Sequence, residues 1–191
     1  RVRTRLTVGF GVVCVLLVAS VVMGLMGMGR MGADLKAVVA DHFPRIVAAD
    51  NLSTQIDVIA IALRNMMLNA DAADRERQTQ VIAQSRQEVV RLFDTLDKTL
   101  TEPKDRALLQ NVKEQRALYL AGQEELLGFI RSDQTDQSRE YLASKLQPVL
   151  ASYKASIGAL VESEKNAIVT DGTDARDTAL NARNTLIGLG V

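Results

Sequence analysis

The chain is short of most things that staple, break or catalyse. Its one cysteine, Cys14, lies inside an apolar run, so the rest of the chain has no disulfide and must be held by packing. It has no tryptophan, and Phe and Tyr together number 7. Its 3 prolines are Pro44, Pro103 and Pro148, and the glycines crowd near the N-terminus, which leaves long stretches without a helix breaker. Lys+Arg and Asp+Glu balance at 23 each, so no basic footprint for nucleic acid and no acidic one is present. The lone histidine, His42, is read as a surface residue. No metal-ligand cluster, nucleophile–base set or phosphate loop stands out. The sequence therefore points to no enzyme, no metal and no cofactor. No segment alternates with period two long enough to make a strand.

What is present is a long hydrophobic run. Arg1, Arg3 and Arg5 precede an uncharged stretch from Leu6 to Gly29, and Arg30 closes it. At about 1.5 Å per residue this reaches roughly 35 Å, enough to cross a hydrocarbon core of about 30 Å. It exceeds the roughly 7–15 residues of a secretory h-region, and its glycine-rich exit is no A-x-A cleavage site. The leading arginines predict a cytoplasmic N-terminus. A chain that opens without Met reads as part of a longer one. At the other end, NTLIGLGV after Arg183 reads as the opening of a second apolar segment. The expected organisation is a cytoplasmic stub and membrane helix over 1–31, an exported domain over 32–185, and the start of a second membrane helix at 186–191.

Between these ends, Ala, Leu, Gln, Glu, Arg and Asp dominate, the composition of long helices. Apolar residues recur at steps of about 3 and 4. Leu52, Ile56, Ile59, Leu63 and Met66 mark a first helix, with Pro44 predicting a kink or loosened turn near Phe43. After a break at Asp71–Asp74, with Asp74 as N-cap, a second helix runs to about Leu100 on Ile82, Ser85, Val89, Leu92 and Leu96. Thr101 caps a third, with Pro103 in its first turn, carrying Leu109, Val112, Arg116, Tyr119, Gln123, Leu126 and Ile130. A turn at Ser132–Thr135 leads to a fourth from about Asp136, with Leu142, Leu146, Tyr153, Ile157, Leu160 and Glu164. Pro148 should kink this helix, with Gly172 a second bending point. The fold class expected is all-α: an antiparallel up-down-up-down four-helix bundle preceded by a transmembrane helix.

This layout, with RTRLTVGFGVV at its opening, DHFPRI just beyond the anchor and ALRNMMLNAD at the far end of the first helix, resembles the N-terminal half of bacterial methyl-accepting chemotaxis receptors. The resemblance implies a periplasmic sensor on the inner membrane, working as a homodimer and binding a small ligand between helices. It also implies a HAMP linker and a cytoplasmic part that addresses CheA through CheW. Related sensor bundles serve histidine kinases and cyclases, so the output class stays open. In the family's aspartate receptor three arginines of the first helix hold the ligand, spaced five and then four apart. Matching Arg64 to the last of these puts Ala60 and Gln55 at the others, so only Arg64 carries over.

A different place is suggested by the seam of the third helix, where Arg116, Tyr119 and Gln123 stand at positions that leucines would fill better. Buried polar groups need partners. Counted from the distal end, Arg86 lies roughly 18 Å down its helix, Arg116 roughly 21 Å, Tyr119 roughly 17 Å and Tyr153 roughly 26 Å. With Ser85 these residues fall in one slab, and two arginines with two phenols suit a small carboxylate, such as a di- or tricarboxylate. The rival reading is a membrane-tethered bundle that binds another periplasmic protein, its seam polar residues paired among themselves.

Overall fold

The computed structural model describes residues 10, 11, 14, 15, 17, 18, 21, 22 and 41–189. Among the described residues from 43 on, the α-helices follow in the order α1 (Phe43–Leu68), α2 (Ala72–Thr99), α3 (Pro103–Arg131), α4 (Thr135–Tyr141) and α5 (Gln147–Leu189). A π-helical stretch, Leu142–Leu146, joins α4 to α5 without a break, so the three together are the fourth helix of an all-α four-helix bundle. The chain divides into two compact units, residues 43–165 and residues 1–42 with 166–191.

Local chemistry sets each boundary in the first unit. Pro44 is the second residue of α1, and residues 41 and 42 just before the helix are π-helical. The loosened turn expected near Phe43 is present as this wider stretch. Asp71, rather than Asp74, is the N-cap of α2. Its carboxylate accepts from the Asp74 N–H at 2.8 Å. Glu102, rather than Thr101, caps α3 and makes no side-chain cap bond, with Pro103 at the first helical position. Then α3 ends in a Schellman turn: Gln134 N–H donates to Phe129 O at 3.0 Å and Asp133 N–H to Ile130 O at 3.1 Å. Asp133 takes the left-handed place usually given to glycine, with φ 53°. Arg75 ties this turn to the one between α1 and α2, reaching Asp133 at 2.9 Å and the Met66 and Asn69 carbonyls.

Pro148 does not break the fourth helix. The π-helical stretch lies immediately before it, and Gln147 N–H reaches back five residues to Leu142 O. A wider turn at this point eases the clash between a proline ring and the carbonyl four residues earlier. Here α3 also comes close. A Cβ on Gly122 would stand 2.7 Å from Leu146 Cδ1. Past Pro148, α5 runs on through Gly172 without interruption.

The core of the first unit is the seam expected from spacing. Leu52, Ile56, Leu63, Leu96, Val112, Leu126, Ile157 and Leu160 are all at most 1 % exposed. Although α1 is long and apolar enough by composition to cross a membrane, its buried residues belong to this core. At one level the core is ionic: Arg45 of α1 meets Glu164 of α5 at 3.6 Å, the two side chains 10 % and 1 % exposed. Beside it Ser163 donates to the buried Asp105 of α3 at 2.8 Å. Half-exposed pairs flank the bundle, Lys154 with Asp57 at 2.8 Å and Lys113 with Asp97 at 2.6 Å.

In the second unit, His42 Nε2 lies 3.3 Å from the Asp171 carboxylate, with its side chain 15 % exposed. His42 is therefore a partly covered partner of Asp171, not an open surface residue. Most of the expected first membrane segment, and much of the second at 186–191, lies outside the described residues. Those described within the first, Phe10, Gly11, Cys14, Val15, Leu17, Val18, Val21 and Val22, are helical and exposed.

Candidate functional site

Near mid-bundle, three helices turn polar or aromatic side chains toward one small cavity. From α3 come Arg116, Tyr119 and Gln123, from α2 Arg86, and from α5 Tyr153. Ile56 and Ile59 of α1, Val89 of α2 and Leu120 of α3 complete an otherwise apolar lining. The cavity measures about 20 Å³, the size of a single water.

The two phenols dominate it. Tyr119 and Tyr153 are 2 % and 1 % exposed, and their rings meet at 5.9 Å with a 49° tilt. Neither hydroxyl has a hydrogen-bond partner. Burial pushes the Tyr119 phenol up to about 12, partly offset by the nearby Gln123 amide, which is close but outside hydrogen-bonding geometry, and by the field of Arg64. Burial raises Tyr153 as well, with Arg116 pulling the other way. Both are therefore neutral donors at physiological pH.

The two arginines differ. Arg86 is engaged: its Nε and one terminal nitrogen donate to Gln123 Oε1 at 3.2 and 2.7 Å, and the same nitrogen donates to Glu124 at 2.9 Å. Arg116 is only half-buried and pairs with no carboxylate among the described residues. It rests over the Phe93 ring, its guanidinium carbon 5.1 Å from the centroid. Snorkelling to the edge of the bundle spares it the full cost of burial.

A model of the four-helix-bundle sensory module for signal transduction matches residues 1–179. The chain belongs to this family. The resemblance read in the sequence is borne out as that membership, and so is the all-α bundle with an N-terminal apolar segment. No curated protein matches the chain significantly. The family is one of sensors rather than of catalysts, so the groups at the cavity are to be judged as binding groups.

Among the described residues of this sensory module, the structure gathers Arg86, Arg116, Tyr119, Gln123 and Tyr153, five of the seven candidates, around one cavity. Ser85 is buried but does not line it. Arg64 is exposed on α1 and acts on Tyr119 only through its field. Sequence reasoning missed two neighbours. Phe93 belongs to the core, yet its ring carries Arg116. Glu124 was passed over, yet it neutralises Arg86, and its place beside Gln123 was the available signal.

Proposed function

We propose that this chain is the ligand-sensing region of a transmembrane chemoreceptor, binding a small organic acid between the helices of its bundle. The domain over 32–185 lies in the periplasm, held at the inner membrane by the segment over 1–31 and by a second one that begins at 186–191. The observation that carries the ligand reading is the pair of buried, unpartnered hydroxyls of Tyr119 and Tyr153, two residues that line the same cavity as Arg116. Buried donors without partners are rare in native proteins and call for an explanation. A carboxylate supplies both with an acceptor and Arg116 with a counter-charge.

The cavity's dimensions support a coupling between binding and packing. It is lined from α1, α2, α3 and α5 and holds no more than a water's volume. A ligand of several heavy atoms must part those helices, and its differential affinity for the parted state shifts the packing equilibrium. α5 continues to Leu189, so a change in its position is carried toward the membrane end of the chain. A homodimer is supported by a stripe along α1: Val47, Thr54, Ile61 and Leu68 recur every seventh residue and are all exposed. Output goes to CheA and CheW through a cytoplasmic part.

The test is a thermal-shift titration of the 191-residue chain in detergent against mono-, di- and tricarboxylates. At least one acid should raise the melting temperature, and Arg116→Ala should remove that shift while still melting cooperatively. No shift with any acid, in a chain that melts cooperatively, sinks the organic-acid reading.

A further inference from the structure

The cavity presents fewer free charges than its count of arginines suggests. The charge of Arg86 is met by Glu124 at 2.9 Å, and its donors are taken up further by Gln123. Arg116 alone has no carboxylate partner among the described residues. A guanidinium held by its face over an aromatic ring keeps its edge donors available for a bidentate bond. To these two donors the Tyr119 and Tyr153 hydroxyls add one each. A carboxylate offers about four acceptor positions. One carboxylate therefore takes up the one arginine charge at the cavity that no carboxylate among the described residues meets, and a second has none left to pair with.

The rest of the wall is Ile56, Ile59, Val89 and Leu120. A second ionised group placed there would be stripped of water without a counter-charge. Resting on the reading of this cavity as the ligand site, we infer that the ligand is a monocarboxylate with a compact apolar body, and that Glu124 sets this selectivity by neutralising Arg86. Glu124 is not itself part of the cavity lining but binds Arg86, which is. It excludes diacids by occupying the charge that would receive their second carboxylate.

The experiment uses the 191-residue chain in detergent, titrated by calorimetry with isovalerate, benzoate, succinate and citrate. The wild type should bind isovalerate or benzoate at least tenfold more tightly than succinate or citrate. Glu124→Gln, an exposed change that leaves the fold intact, frees the Arg86 charge and should tighten succinate at least tenfold while leaving the monocarboxylates within about threefold. Wild-type preference for succinate or citrate, or no gain in succinate binding by Glu124→Gln, overturns the inference and leaves the organic-acid site standing. Absence of binding by all four acids to both proteins overturns the site along with the inference.

Discussion

Removing one hydroxyl tests the central feature of the cavity. In Tyr119→Phe the ring, its packing against Tyr153 and its burial are kept, and only an unpartnered polar group is lost. Leaving a buried donor unsatisfied costs about 1–3 kcal/mol, so at neutral pH the variant should gain about 1 kcal/mol. For a domain of this size that is a rise of about 4 °C in melting temperature. The pH dependence gives a second, independent reading. The folded-state phenol is raised to about 12 from 10.0. The native chain thus binds more protons than the unfolded one between these values. Stability from this group is complete below pH 10 and is lost as pH rises toward 12. Two pH units at 1.36 kcal/mol each amount to about 2.7 kcal/mol. Chemical denaturation of wild type and Tyr119→Phe at pH 8, 10 and 11 should show the variant lacking about half of that loss by pH 11. A variant less stable than wild type by 1 kcal/mol or more at pH 8 would show that the hydroxyl has a partner in the resting protein. That would remove the main reason for placing a ligand there.

The glycines make a paired prediction. Gly122→Ala puts a methyl against the buried Leu146, so overpacking of about 1–3 kcal/mol should outweigh the helix-propensity gain of about 1 kcal/mol and lower the melting temperature. Gly158→Ala meets nothing within 4 Å and should raise it, by about 1 kcal/mol. Arg45→Met removes the guanidinium 3.6 Å from the buried Glu164 carboxylate and should lower stability in a denaturant titration by at most about 3–5 kcal/mol, whereas the double variant Arg45→Met, Glu164→Leu should recover most of the loss.

Most of the bundle was legible because helices announce themselves by period. Leu52 through Met66, Ile82 through Leu96 and Leu109 through Ile130 lie in the core where steps of three and four place them. Caps were less legible, since Asp71 and Asp74 offer equally good carboxylate acceptors and only the backbone path decides which one turns back. The π-helical stretch was hidden as well: Pro148 signals trouble, but the response, a wider turn in place of a kink, depends on how closely α3 approaches through Gly122. At the cavity, depth counting brought Arg86, Arg116, Tyr119 and Tyr153 to one level, because rise per residue is nearly constant. It failed for Ser85, where azimuth rather than height decides, and Arg64, offered by the resemblance alone, is exposed away from the lining. What no count along one helix reveals is the pairing of Arg86 with Glu124, a contact between neighbouring helices that changes how many charges a ligand meets.

The buried Arg45–Glu164 pair has a mechanical meaning. A ligand of millimolar affinity has about 4 kcal/mol in all, and separating a buried ion pair costs about as much. Sliding α5 past α1 at this level is therefore out of reach of a weak ligand. On the proposed reading of the cavity as a ligand site, the pair, 11 residues or about 16 Å along α5 from Tyr153, is a hinge pin. If α5 parts from its neighbours by about 1 Å at Tyr153, a rigid helix held at Glu164 tilts by about 3–4°. Ligand binding would then turn α5 between these two residues as a lever on a fulcrum.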